Sequence, residues 1–133
     1  MEIKYNIATN NRPDGSRLLD APWVYSDLET ISEQLHAEHA WEKNDRNGMT
    51  IFKSDKLTVV LTAMKPGAAI MKNSVDGFLT IHVLSGKVVI ETEDCPVVLT
   101  AGNMLNFHPC VLHNIIAKQE SELLLSTYTA PEI

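Results

Sequence analysis

The sequence predicts an all-β fold: an antiparallel jelly-roll barrel preceded by an N-terminal arm and one helix over about 26–41. Three observations carry this. From Met49 to Thr129 the chain is a succession of short runs, rich in apolar and β-branched residues, at regular spacing. Turn residues separate almost all of them. No helical segment lies between them, which excludes parallel βαβ units. A chain of 133 residues is long enough to bury a real core in one domain. It divides into an arm and helix over 1–47 and a barrel over 48–133.

Taken in order, residues 1–25 show little periodicity. Asn10-Asn11-Arg12-Pro13-Asp14-Gly15 is a turn signal, and Ala21-Pro22-Trp23-Val24-Tyr25 reads as an extended arm. Trp23 and Tyr25 are large side chains to leave in water, so the arm is expected to pack on the barrel or on a partner subunit. Ser26-Asp27-Leu28-Glu29 is a capping box, with the Ser26 hydroxyl and the Glu29 carboxylate serving free amides at the helix start. Leu28, Ile31 and Leu35 fall on one helical face. The polar turn Asn44-Asp45-Arg46-Asn47-Gly48 ends the helix. Strands are expected over 49–53, 57–64, 68–72, 78–84, 87–92, 96–99, 104–108, 112–117 and 122–129. Pro66-Gly67 and Leu99-Thr100-Ala101-Gly102-Asn103 are turns, and Val83-Leu84-Ser85-Gly86-Lys87 reads as a hairpin.

Charge narrows the partners. A net charge of −6 argues against nucleic acid, which leaves a basic footprint, and against an anionic membrane surface. No apolar run reaches transmembrane length. Met1-Glu2-Ile3-Lys4-Tyr5-Asn6 lacks the apolar core of a signal peptide. Cys95 and Cys110 are too few for a disulfide framework, so a reducing, cytoplasmic setting is expected.

Pro66-Gly67 and Val83-Leu84-Ser85-Gly86, followed by Ala101-Gly102-Asn103 and His113, match the ends of two signature blocks. On these residues the stretch 49–129 resembles a cupin. The resemblance implies a metal held by a His-x-His pair, a Glu and a later His. By the family spacing those positions fall on Asn73, Val75, Leu79 and His113. Valine and leucine cannot bind a metal, and an Asn oxygen is a poor ligand for a transition ion. A stable site needs at least three ligands, so no metal and no cofactor is expected. Moving the count by one or two residues brings in Met71, Lys72, Ser74 or Asp76, of which only Asp76 is a plausible ligand.

Other histidines offer little. His36 and His39 lie three apart on the helix and read as a solvated polar face rather than as ligands. His82 falls on the outer face of its strand if Leu79, Ile81 and Val83 point inward. His108, Cys110 and His113 are close in sequence, and a relocated metal site on them is conceivable. Cys110 more often behaves as a small apolar residue than as a nucleophile.

Alternation places Ala69, Met71, Asn73 and Val75 on one face, Leu79, Ile81 and Val83 on another, and His113 with Ile115 on a third. The candidate lining of the interior is therefore Asn73, His113, Met71, Val75, Leu79 and Ile81. Apolar walls with a few orienting polar groups describe a small-molecule pocket. They also describe a filled core, in which Asn73 supplies the hydrogen bond that a buried His113 requires.

Three functions fit. The first is a metal-free protein that binds a small molecule in the barrel as a sensor or carrier. The second is an enzyme, either of the metal-free epimerase or isomerase type that the resemblance implies, with His113 as base, or metal-dependent through the relocated site. The third is a structural or interaction protein with a filled core. A homodimer is expected from the resemblance, from the arm with Trp23 and Tyr25, and from the prevalence of symmetric dimers.

Overall fold

The computed structural model describes residues 17–129 in full, and residues 4–6 by their backbone pairing. The turn signal at 10–15 lies outside the described residues. Strand β1 (Lys4–Asn6) pairs antiparallel with β2 (Arg17–Asp20) in a small sheet of its own. Helices α1 (Leu28–Ala37) and α2 (His39–Lys43) follow. Nine strands then build the body: β3 (Arg46–Lys53), β4 (Leu57–Met64), β5 (Ala69–Asn73), β6 (Phe78–Ser85), β7 (Lys87–Glu91), β8 (Val97–Thr100), β9 (Met104–Phe107), β10 (His113–Ala117) and β11 (Ser121–Tyr128). They form two antiparallel sheets, ordered β3-β4-β11-β6-β9 and β5-β10-β7-β8. This is the expected jelly roll.

The expected single helix is two. The chain leaves helical geometry at Glu38 (φ −75°, ψ 147°), which caps the end of α1 and the start of α2. Nor does Ser26 cap the start. Asp27 does, its carboxylate accepting from the amides of Glu29 at 3.1 Å and Thr30 at 3.3 Å. The capping box placed the cap one residue early, because Asp is as good a cap as Ser and neither spacing excludes the other.

Strands β6 and β7 do not pair, so Val83 to Lys87 is not a hairpin. A single residue, Gly86, carries the chain from one sheet to the other. Its φ is +88°, and a Cβ there would lie 2.3 Å from the Glu120 carbonyl oxygen and from Ser121 Oγ. Only glycine fits both the left-handed backbone and the close approach. The turns at Gly67 and Gly102 make the same crossing between the sheets. Gly67 donates its amide to the Ala117 carbonyl at 2.8 Å, and Gly102 to that of Val83 at 2.8 Å. The glycine expected in a hairpin, Gly86, and the two expected in turns, Gly67 and Gly102, thus mark corners of a sandwich.

Following these crossings gives the barrel two unlike ends. The turns 65–68, 86, 101–103 and 118–120 lie together at one end. The connections 74–77, 92–96 and 108–112 gather at the other, beyond the ends of β5, β7, β9 and β10. The space between the sheets is packed with Met64, Leu79, Ile81, Val83, Val88, Ile90, Ile115 and Leu123, all buried. A second core, of Leu35, Met49, Leu61 and Ala63, lies between α1 and the outer face of the larger sheet, where β4 buries both of its sides. Asn47 ties the layers by donating to the Leu35 carbonyl at 3.0 Å and to Glu38 Oε1 at 2.9 Å. His82 stands opposite Leu124 and Met104, between the inward-facing Ile81 and Val83, hence on the outer face as alternation requires.

Of the two placements expected for the arm, packing on the barrel is not the one seen. Trp23 is 78% and Tyr25 80% exposed, so neither packs on the barrel. Ala21, two residues earlier, is buried, and Trp23, Val24 and Tyr25 line a cleft of about 390 Å³ with Ile31 of α1 and Ile51 of β3.

Candidate functional site at the barrel mouth

His113 opens β10 and sits directly opposite Asn73, the last residue of β5. Its Nδ1–H donates to the Val111 carbonyl at 2.9 Å, which leaves Nε2 as the acceptor. Asn73 Nδ2–H donates to that nitrogen at 3.1 Å. Phe107 stacks on the imidazole with ring centres 4.6 Å apart and an interplanar angle of 14°. The ring is 2% exposed, so both of its polar atoms are satisfied inside the protein. No nitrogen of His113 is left to take a proton from a substrate, and the general-base role finds no support in this geometry.

The other expected lining residues divide. Leu79 and Ile81 belong to the packed core, and Val75 packs against it. Met71 does not point inward: it is 57% exposed. The pairing of β5 with β10 slips by one residue between Ile70 and Asn73, and Lys72 takes φ +51°. This bulge places an extra residue in β5 and reverses the alternation, so that Ile70 rather than Met71 shares the inner face with Asn73. Asn114 holds the bulge by accepting the Lys72 amide at 2.7 Å on its Oδ1.

Open space lies at the mouth and beside the arm rather than within the barrel. A cleft of about 540 Å³ is lined by Thr92, Glu93, Asp94, Asn106, Phe107, His108, Cys110, Val111 and Leu112. A shallower lobe of about 290 Å³ adjoins it through Thr92, Glu93 and Leu112, and reaches Lys72, Glu91, Asn114 and the edge of His113. The wall is apolar where Val111 and Leu112 stand exposed, and polar along 92–94. Connections 74–77 and 108–112 are bound together, because the Cys110 amide donates to the Val75 carbonyl at 2.8 Å. Cys110 holds φ +65°, and its thiol lies 3.7 Å from Asp76 Oδ1.

Sequence reasoning singled out His108 and Cys110 as metal candidates and missed the rest of the cleft. The missed signal was Val111-Leu112, two apolar residues in a connection where a sealed barrel would have polar ones. The relocated metal site is not formed. His108 packs on Phe78 (5.2 Å between ring centres), Cys110 faces Asp76, and His113 is held by Asn73 and Val111. Among the described residues no group of three or more His, Cys, Asp or Glu side chains is placed to hold a metal ion. His36 and His39 also part company. His36 donates to the Ser32 carbonyl and packs edge-on to Trp41, while His39, beyond the break at Glu38, faces Glu42.

Solved structures with this architecture are numerous. A cupin superfamily protein from Desulfitobacterium hafniense superposes with a TM-score of 0.63 at 22% identity, covering 65% of this chain and 80% of that one. A cupin-2 domain protein from Shewanella frigidimarina gives 0.63 at 15% identity, over 77% and 93%. The protein has the cupin fold. A conserved protein of unknown function from Streptococcus pyogenes follows 96% of this chain and 98% of its own, at a TM-score of 0.64 and 16% identity. No protein-family model matches the sequence, and no curated protein matches it significantly. At these identities the likeness is one of fold.

The positions at which the cupin resemblance puts metal ligands carry Asn73, Val75, Leu79 and His113. They do not fit a metal. Two are apolar, and the imidazole of His113 has both nitrogens engaged, Nε2 by Asn73 and Nδ1 by the Val111 carbonyl. No helix among the described residues is long and apolar enough to cross a membrane.

Proposed function

We propose that this cupin-fold protein binds a small molecule at the barrel mouth, as a sensor or carrier and without a metal. The observation that carries the reading is the cleft of about 540 Å³. Its volume falls within the range of small-molecule sites, and Phe107, Val111 and Leu112 give it an apolar wall beside the polar residues 92–94. The packed interior moves the expected ligand from the middle of the barrel to the mouth, over the Phe107–His113 stack. There Asn73 and His113 act as a rigid floor rather than as contacts for the ligand. Both cysteines are free and exposed, which agrees with a reducing, cytoplasmic setting.

A fragment library screened by amide NMR tests this. Hits that perturb residues 92–94 and 106–113 support it. A library without hits, or hits gathered on the arm, defeats it.

A second reading is that of an interaction protein, a homodimer joined through the arm. The packed interior and the exposure of Trp23 and Tyr25 favour it. Sedimentation at micromolar concentration decides: a dimer that dissociates in Trp23→Ser/Tyr25→Ser supports this reading, and a monomeric parent protein ends it.

A further inference from the structure

We infer that the mouth cleft selects organic cations: an ammonium group carried on a small aromatic or apolar body. The inference rests on the mouth being the ligand site and names what enters it. Three carboxylates, Glu91, Glu93 and Asp94, border the cleft and its adjoining lobe, against one ammonium, that of Lys72. Glu91 accepts a hydrogen bond from Asn114 Nδ2 at 3.2 Å. The carboxylates of Glu93 and Asp94 make no hydrogen bond or ion pair with any described residue. Asp76 adds a further negative charge beside Cys110.

Acidic side chains on a loop are ordinarily just solvated. Here Glu93 and Asp94 line a cleft that also holds exposed apolar side chains: Leu112 is 54% and Val111 36% exposed. Phe107 and His108 add aromatic surface to the same cleft. One face of Phe107 is taken by His113, which fixes the orientation of the ring. A body that covers Val111, Leu112 and Phe107 occupies the same cleft as the carboxylates of Glu93 and Asp94. A cation is attracted there by the carboxylates and by the aromatic faces. An anion of equal shape meets two carboxylates and is repelled. The net charge of −6 adds long-range attraction of the same sign.

Three matched probes test this by amide NMR titration of the full chain: phenethylamine, 2-phenylethanol and 3-phenylpropionate. The expected result is binding at residues 92–94 and 106–113, with phenethylamine at least about tenfold tighter than the alcohol and propionate weakest. The preference should shrink between about 0.02 and 0.5 M salt, as a partly exposed charge effect must. In Glu93→Gln/Asp94→Asn the amine should lose its advantage over the alcohol, with an unchanged urea midpoint showing that the fold is kept. Equal binding of all three, or propionate binding best, overturns the cation inference and leaves the mouth as a ligand site. An amine preference unmoved by the double variant overturns the assignment to these carboxylates. No binding by any probe, with an empty fragment screen, removes both readings.

Discussion

Four glycines separate two physical costs that are usually confounded. Gly67 and Gly102 have φ of +86° and +87°, and a Cβ at either would meet nothing within 4 Å. Gly77 has no left-handed φ, but a Cβ there would lie 2.4 Å from the Tyr128 carbonyl oxygen. Gly86 combines both conditions, with φ +88° and contacts of 2.3 Å to Glu120 O and Ser121 Oγ. An L-residue in the left-handed region costs about 1–2 kcal/mol. Forcing a methyl against packed backbone costs about 1–3 kcal/mol. Gly67→Ala and Gly102→Ala should therefore each lose about 1–2 kcal/mol, Gly77→Ala about 1–3 kcal/mol, and Gly86→Ala the two together, roughly 2–5 kcal/mol.

Urea unfolding reads these values directly. With a slope of about 1.5 kcal/mol/M, the open-space variants shift the midpoint by about 1 M and Gly86→Ala by about 2 M or more. The crossing at Gly86 cannot relax outward, because the Lys87 amide is held by Ser121 Oγ at 3.0 Å and Ser121 is fully buried. A Gly86→Ala midpoint equal to that of Gly67→Ala would show that the corner gives way freely, and the account of it as a close-packed crossing would be wrong.

Three more outcomes are expected. Asp27→Ala should cost about 1 kcal/mol of stability as a lost cap, and Ser26→Ala within about 0.5 kcal/mol; the reverse order in urea unfolding would restore the capping box at Ser26. Ile70→Ser should destabilise by about 2 kcal/mol or more and Met71→Ser by less than about 0.5 kcal/mol; equal losses would mean that the β5 bulge does not reverse the alternation. Asn73→Ala should cost about 1–3 kcal/mol by leaving His113 Nε2 buried without a donor. In a double-mutant cycle with His113→Ala the two should couple by about 0.5–1.5 kcal/mol, and additive losses would argue that the pair is not a unit.

The β pattern was legible because it is local. Strand residues declare themselves by β-branching and by the turns that bound them, and β4 was placed at Leu57–Met64 from those signals alone. The inward set Leu79, Ile81 and Val83 followed from simple alternation, because β6 runs without a bulge along its pairing with β9. The Asn73–His113 hydrogen bond was also within reach, since a buried histidine must find a partner. Met71 was not. The bulge that turns it outward depends on Lys72 and on Asn114, 42 residues away, and alternation has no term for an inserted residue.

What the sequence by itself determined, then, is the class of fold, most strands, and the poor metal-ligating chemistry of Asn73, Val75 and Leu79. These depend on residue type and on near neighbours. Only the tertiary structure decided that Gly86 crosses between sheets rather than turning a hairpin, because pairing partners far apart in the chain make that choice. It also decided that the interior is filled and that open space lies at the mouth. That depends on how Leu79, Ile81, Phe107 and His113 pack from three different strands, and on three connections meeting at one end. Volume left over by packing is a property of the whole assembly, and no single stretch of the chain carries it.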